Sequence, residues 1–398
     1  MMLCGEFRPT RSSPRFAVFH QFFSVTKEFT LPVCKRVHTT NFAKILLAWA
    51  AMTGCKSSLA SDTSARLPLA TAISESAVSE LALDLIDSIH LASIDSMQIG
   101  RVTHFMPTPF GYIVIDGMKK RVLAFDQRGA LVAQVGRSGT GLDEYEDPYR
   151  AAVRGDSIFV LDLARFSHVL AFDRSRSYVG GIDWKNERMP TDLLLTSSGM
   201  FVTTTVKKLK GSIADVLHLV DQKGASIGTG CRVDPRILES DRDQGMLGSL
   251  VFASLSVLGD RIYCAQATTP IVQVVDTLGR AHTPITIMPP FYVAPVDRPL
   301  TMNSKHMMAF NASFTTHVAF VPTRSGFVSI YSKYDTTAQQ TKYYLFACDS
   351  AKISHSCGTH RSDRRILQVT SPDTVYVEES STGSGTVIGR YRLRLVTK

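Results

Sequence analysis

Four residues near the C-terminus carry side chains suited to metal or redox chemistry: Cys348, His355, Cys357 and His360, spaced C-x6-H-x-C-x2-H. Thiolate and imidazole are good zinc ligands, but common structural zinc sites pair cysteines two to four residues apart, which this spacing lacks. The residues leave three readings open: a metal, a Cys348–Cys357 disulfide across a hairpin if the chain is exported, or two unpaired thiols. Cys231 and Cys264 add two more thiols, and four thiols allow three pairings. We assign no metal and no cofactor from this cluster.

A second chemical candidate is the loop GRSGTGLDEYEDPYR, Gly136–Arg150. Its glycines fall as GxxGxG, not GxGxxG, and no helical period follows, so it does not form the strand, glycine turn and helix of a dinucleotide cradle. Arg137 and Glu144 either pair locally inside a structural loop or present a polar ligand site at a rim. No GxSxG elbow, phosphate-binding GxxxxGK[ST] loop, HExxH or EF-hand loop occurs anywhere. No catalytic residue is assigned.

The elements that must position these residues repeat. FGYIVIDGMKKRVLAFDQRGALVAQVG (110–136) is followed by GDSIFVLDLARFSHVLAFDRSRSYVGGI (155–182), and weaker copies continue to the C-terminus. Each unit has a turn, a β-rich run, a polar connection, a second β-rich run ending in Asp, and a short third run. The closing aspartates are Asp126, Asp173, Asp221, Asp276 and Asp349, spaced 47, 48, 55 and 73 residues apart. Gly129, Gly224 and Gly279 stand three residues after their aspartates. Asp caps such a turn with its carboxylate, and Gly takes the positive φ that returns the chain. The runs are rich in Val, Ile, Phe and Tyr, and several are apolar on both faces, which suits strands packed between neighbouring sheets.

Four-stranded blades occupy roughly 40–50 residues, so 103–398 accommodates six. The expected fold is all-β: a six-bladed β-propeller of four-stranded antiparallel blades over 81–398. The last unit offers three strands, near Ile366–Val369, Thr374–Glu379 and Thr386–Leu395, and an open ring would leave unpaired edges. The spare run Ile89–Ala92 is therefore expected to pair with Thr386–Leu395 and close the ring. Residues 72–87 have a pattern that a helix could also produce, so only Ser88–Ser93 is read as strand. The starts of the innermost strands should line a central channel at His104, Arg150, Asp192, Leu250, His317 and Arg365. That set is poor in carboxylates for calcium, which takes 6–8 oxygens, and suits an anionic ligand better.

The formal charge of +9 invites a nucleic-acid reading, but its distribution removes it. Residues 1–54 hold seven Lys/Arg and two Asp/Glu, leaving a near balance of 37 to 33 in the remainder. No stretch reaches the roughly 18 uncharged apolar residues that would span a bilayer. Instead Lys35, Arg36 and Lys44 precede a short apolar run, Ile45–Met52, then Thr53-Gly54 and Cys55. That order resembles a bacterial lipoprotein signal, in which the cysteine receives a diacylglycerol, although Met52 stands where such signals usually have Leu. Residues 1–54 are read as leader, with a true initiator near Val33 or Val37, and 55–80, rich in Ser, Ala and Thr, as a flexible tether. The implied address is the cell envelope, as an outer-membrane lipoprotein anchored without crossing the membrane.

VLAFDQRGALVAQVGRSGTGLDEYEDPYRAAV with GDSIFVLD resembles the six-bladed propeller lipoproteins common in Bacteroidota, which are related in form to NHL-repeat and TolB-like propellers. Gly136, Arg137, Gly139, Gly141, Glu144 and Tyr145 match the family's inter-blade loop, and Leu142 replaces its usual Pro. The resemblance is good over 95–185 and fair beyond, and it implies a fold and an exported location but no reaction. Two functions follow as expectations. One is a lipid-anchored binding or scaffold module for a glycan, peptide or protein. The other is a metal-dependent hydrolase of the lactonase-like propeller type. The first is preferred, with His104, Arg137, Glu144, Arg150, Asp192, His317 and Arg365 as ligand-facing candidates.

Overall fold

A computed structural model describes residues 78–92, 98–165, 168–183, 190–196, 199–204, 215–221, 223–242, 245–247, 252–299, 303–349, 356–371, 373–382 and 385–396. The expected leader, most of the expected tether with Cys55, and also Leu250 and His355, lie outside these residues.

Among the described residues six antiparallel blades follow one another along the chain. Blade 1 comprises Val102–Thr108, Gly111–Asp116, Arg121–Phe125 and Leu131–Val135, ordered from inner to outer strand. Blade 2 runs over Pro148–Arg154, Ser157–Asp162, His168–Phe172 and Tyr178–Asp183. Blades 3, 4 and 5 begin with the inner strands Pro190–Leu195, Ala253–Leu258 and Thr316–Thr323. Blade 6 has Ile366–Ser371, Thr374–Thr382 and Gly385–Val396, and takes its fourth strand, Val78–Ala92, from the other end of the chain.

This clasp pairs antiparallel with the last strand from Glu80↔Val396 to Ala92↔Gly385, with a bulge between Leu85 and Asp87. Ile89↔Ile388 and Leu91↔Thr386 are in the expected pairing. Two details differ from expectation. The strand begins at Val78, so the helix-like pattern of 72–87 yields to tertiary pairing: Leu81 packs inward at 2% exposure while Leu85 and Ile86 straddle the bulge on the surface. Val78–Glu80 also pairs in parallel with Cys357–Thr359 on the outer strand of blade 5, fusing blades 5 and 6 into one eight-stranded sheet.

Closure is equally visible in the core. One apolar cluster fills each contact between successive blades, and a further one joins blade 6 to blade 1 through Tyr376, Ile388, Phe105, Tyr112 and Phe125 with the clasp's Ile89 and Leu91. The second and third strands of each blade lie between two such clusters, which is why GYIVID and RVLAF are buried at every position.

The aspartate turns form as the spacing implies. Asp126 Oδ1 accepts the Arg128 and Ala130 amides at 2.9 Å, and Asp221 and Asp276 repeat the arrangement. Gly129 has φ +85°, and a Cβ there would lie 2.3 Å from the His90 carbonyl oxygen, so this glycine serves both the turn and the clasp. In blade 2 Arg176 takes the positive φ, +69°, without a glycine. A second set of aspartates, not singled out in the sequence, ends the second strands. Buried Asp116 accepts the amides of Gly100, Arg101, Met118 and Lys119, and buried Asp162 those of Glu146, Asp147 and Ala164.

Among the described residues two short helices interrupt the all-β pattern. Helix α1, Pro235–Arg242, starts with Pro after Asp234, whose carboxylate accepts the Arg236 amide. Helix α2, Ser304–Ala312, is capped by Asn303, which accepts the Lys305 and His306 amides. Phe310 and Phe314 from the second insertion pack on Met246 and Leu247 from the first.

Candidate functional site

Four of the expected channel residues connect blades. Each inner strand of blades 1, 2 and 3 carries a bulge just before the residue of interest, between Val102 and His104, Pro148 and Arg150, and Pro190 and Asp192. The repeated irregularity aims these side chains sideways, toward the next blade. His104 of blade 1 donates Nε2–H to the Ala151 carbonyl of blade 2 at 3.1 Å. Arg150 of blade 2 meets Asp192 of blade 3 at 3.4 Å and lies 4.1 Å from the Tyr149 ring centroid. Asp192 then accepts the Leu255 amide of blade 4 at 2.7 Å. Arg365 of blade 6 donates to the Val102 and Thr103 carbonyls of blade 1 and lies 3.7 Å from Glu378.

Their electrostatics follow from enclosure. Burial pushes His104 down to about 3, and neighbouring Arg150 adds to the shift, so the imidazole is neutral at physiological pH. Burial raises Asp192 while Arg150 opposes that rise. Burial raises Glu378 likewise, against the pull of Arg365. Because both guanidinium groups already face carboxylates, the excess positive charge expected for an anionic ligand is compensated here.

His317 stands apart from this set. It is 2% exposed and stacks on Tyr331 at 4.5 Å with an interplanar angle of 15°. Burial holds it down to about 4, against the opposing pull of the Ala319 and Thr269 backbone. Its backbone amide, donating to the Ala267 carbonyl, joins blade 5 to blade 4.

The loop after blade 1 is closed on itself. Arg137 contacts Glu144 at 2.7 Å and Asp143 at 3.3 Å, and Glu144 accepts the Gly141 amide at 2.7 Å. A Cβ on Gly139 would fall 2.1 Å from the Glu144 carboxylate. Tyr145, fully buried, donates to the Val135 carbonyl and accepts the Val122 amide, and burial pushes its phenol up to about 12. Arg137 and Glu144 thus pair locally.

Cys348 and Cys357 form a disulfide between the two outer strands of blade 5. His360 donates to the Leu81 carbonyl of the clasp at 3.0 Å. Among the described residues, no group of three or more His, Cys, Asp and Glu is arranged to hold a metal ion. Cys231 and Cys264 are buried, lie side by side within hydrogen-bond reach, and form no disulfide.

Sequence reading missed a cleft. It measures about 420 Å3 and lies between the closing blade and blade 1. Asp87, Ser88 and Ile89 of the clasp, with Tyr376 and Arg390, form one wall; Tyr112, Gln127 and Arg128 belong to the other. No linear motif marks it, because its walls come from opposite ends of the chain.

The sheet order, the six inter-blade clusters and the clasp define a six-bladed β-propeller. Residues 70–198 match the model of a family described as 6-bladed beta-propeller, DUF5128. Against curated protein sequences the chain has no match. Among solved structures it is similar to a DUF4221 family member from Bacteroides vulgatus, with TM-score 0.57 and 9% identity over 80% of this chain and 99% of that one. It is also similar to a protein from Bacteroides fragilis described as exported, with TM-score 0.56 and 11% identity over 82% of this chain and 98% of that one. The family match bears out the six-bladed propeller that the sequence implies, and the two solved structures share that fold.

Proposed function

We propose that this chain is an exported, lipid-anchored propeller that serves as a binding or scaffold module for a glycan, peptide or protein at the cell envelope. The observation that carries this reading is the use of the inner polar residues. His104, Arg150, Asp192 and Arg365 each bond the neighbouring blade, so the groups best placed for chemistry in a channel act as ring connectors. Function then falls to the outer surface and the clefts between blades, where a rigid ring presents fixed side chains. The exported Bacteroides protein of similar fold supports the address, and the Lys44–Cys55 segment supports the anchor.

Metabolic labelling with a fatty-acid analogue tests the anchor. Wild-type chain should incorporate the label and partition with membranes, and Cys55→Ser should lose both properties. Unlabelled wild-type chain would remove the anchor from the proposal.

A further inference from the structure

The cleft between the closing blade and blade 1 has a definite ligand chemistry. Its volume of about 420 Å3 is that of a small-molecule site. Its walls are held without a ligand. Asp87 accepts two hydrogen bonds from Arg390, one of them from Nε at 2.9 Å. Gln127 donates its amide to the Pro109 carbonyl at 3.1 Å, tying together the two turns of blade 1 that border the cleft. The Ala92 amide donates to the Gly129 carbonyl at 3.0 Å, fixing the clasp against that blade. Behind these groups Phe105 lies 5.4 Å from Tyr112 and 5.1 Å from Tyr376, ring centre to ring centre.

The lining side chains are amphiprotic. Hydroxyls of Ser88, Tyr112 and Tyr376 donate and accept, Asp87 accepts, and Arg390, Arg128 and Gln127 bring planar donor groups. An apolar ligand would meet few apolar partners beyond Ile89 and Pro107, and a compact anion would meet the Asp87 carboxylate. Vicinal hydroxyls, each donating one hydrogen bond and accepting others, match planar carboxylate and guanidinium groups beside phenols. We infer that this cleft binds the hydroxyl-rich end of a saccharide. The inference rests on the binding-module reading and supplies its site and ligand class.

The test uses the full chain in calorimetry and saturation-transfer NMR with a panel of glucose, galactose, mannose, N-acetylglucosamine, glucuronate and their common disaccharides. At least one sugar should bind. Tyr376→Phe and Gln127→Ala should each weaken that binding about tenfold, the loss expected for one hydrogen bond to a polar ligand, while the melting temperature falls only by the small amount that loss of one internal hydrogen bond allows and the chain stays fully folded at the binding temperature. Arg390→Lys, which keeps a cation at the clasp, should weaken it further. Failure of the entire panel overturns the saccharide assignment and leaves a peptide or protein ligand for the module. Sugar binding that survives all three substitutions overturns the site while sparing the module. Turnover of a bound sugar would instead end the binding-module reading itself.

Discussion

Asp87 and Arg390 stand 303 residues apart in sequence and form a two-point ion pair that joins the first strand of the fold to the last. Both side chains are partly exposed, 46% and 36%, so solvent screens their attraction. Arg394 with Asp84 adds a second pair between the clasp and the last strand, whereas Arg392 with Asp373 lies within blade 6. The two clasp pairs agree with a register that the buried apolar residues hold.

That division of labour is measurable. Asp87→Ala should cost less than about 1 kcal/mol in urea unfolding, as exposed pairs do. Leu91→Ala, at a position 1% exposed within the blade 6–blade 1 cluster, should cost about 2–5 kcal/mol. Deletion of 81–95 should lower the melting temperature sharply, and an unmoved melting temperature would disprove closure by the clasp.

The disulfide should reinforce the same seam. Cys357 bonds covalently to Cys348 and pairs through its backbone with Val78, so the staple holds the strand on which the clasp begins. Reduction, or Cys348→Ser with Cys357→Ser, should destabilise the ring by about 2–4 kcal/mol. Peptide mapping without reductant should recover the 348–357 linkage and leave Cys231 and Cys264 unlinked.

His104 and His317 predict an acid limit. Their folded values, about 3 and about 4, lie below the imidazole value near 6.5 of an unfolded chain. The unfolded state therefore binds more protons between these limits. Stability is complete above about pH 6.5 and declines as pH falls toward 4 and then 3. Unfolding free energies at pH 7 and pH 5 should differ in wild type, and His104→Gln or His317→Phe should narrow that difference.

Arg150 and Asp192 should be coupled. Asp192→Asn keeps a carbonyl for the Leu255 amide but removes the charge facing Arg150, whereas Asp192→Ala removes both. The alanine variant should therefore lose about 1–3 kcal/mol more than the asparagine one. With Arg150→Met in the background, the effect of Asp192→Asn should shrink, which a double-mutant cycle reads directly. Fully additive effects would show that the two side chains do not work as a pair.

Much of the architecture is local in origin and therefore visible in the residues. An Asp that caps its own turn and a Gly three positions later are local devices, so their recurrence announced the hairpins, and the length of 103–398 against that of a typical blade set the number at six. The closing strand was also legible, because a last unit with three strands requires a fourth. Its extent was not: Val78–Leu85 alternates in a way that helix and strand both tolerate, and only the ladder to Gly385–Val396 decides between them. Helices α1 and α2 carried readable caps, Asp234-Pro235 and Asn303, but lie outside the repeat. The site depended most on tertiary structure. Sequence placed His104, Arg150, Asp192 and Arg365 at the inner strands, yet whether such side chains face a channel or the next blade is set by the bulges beside them. The cleft needs both ends of the chain brought side by side, and local spacing carries no record of a neighbour about three hundred residues away.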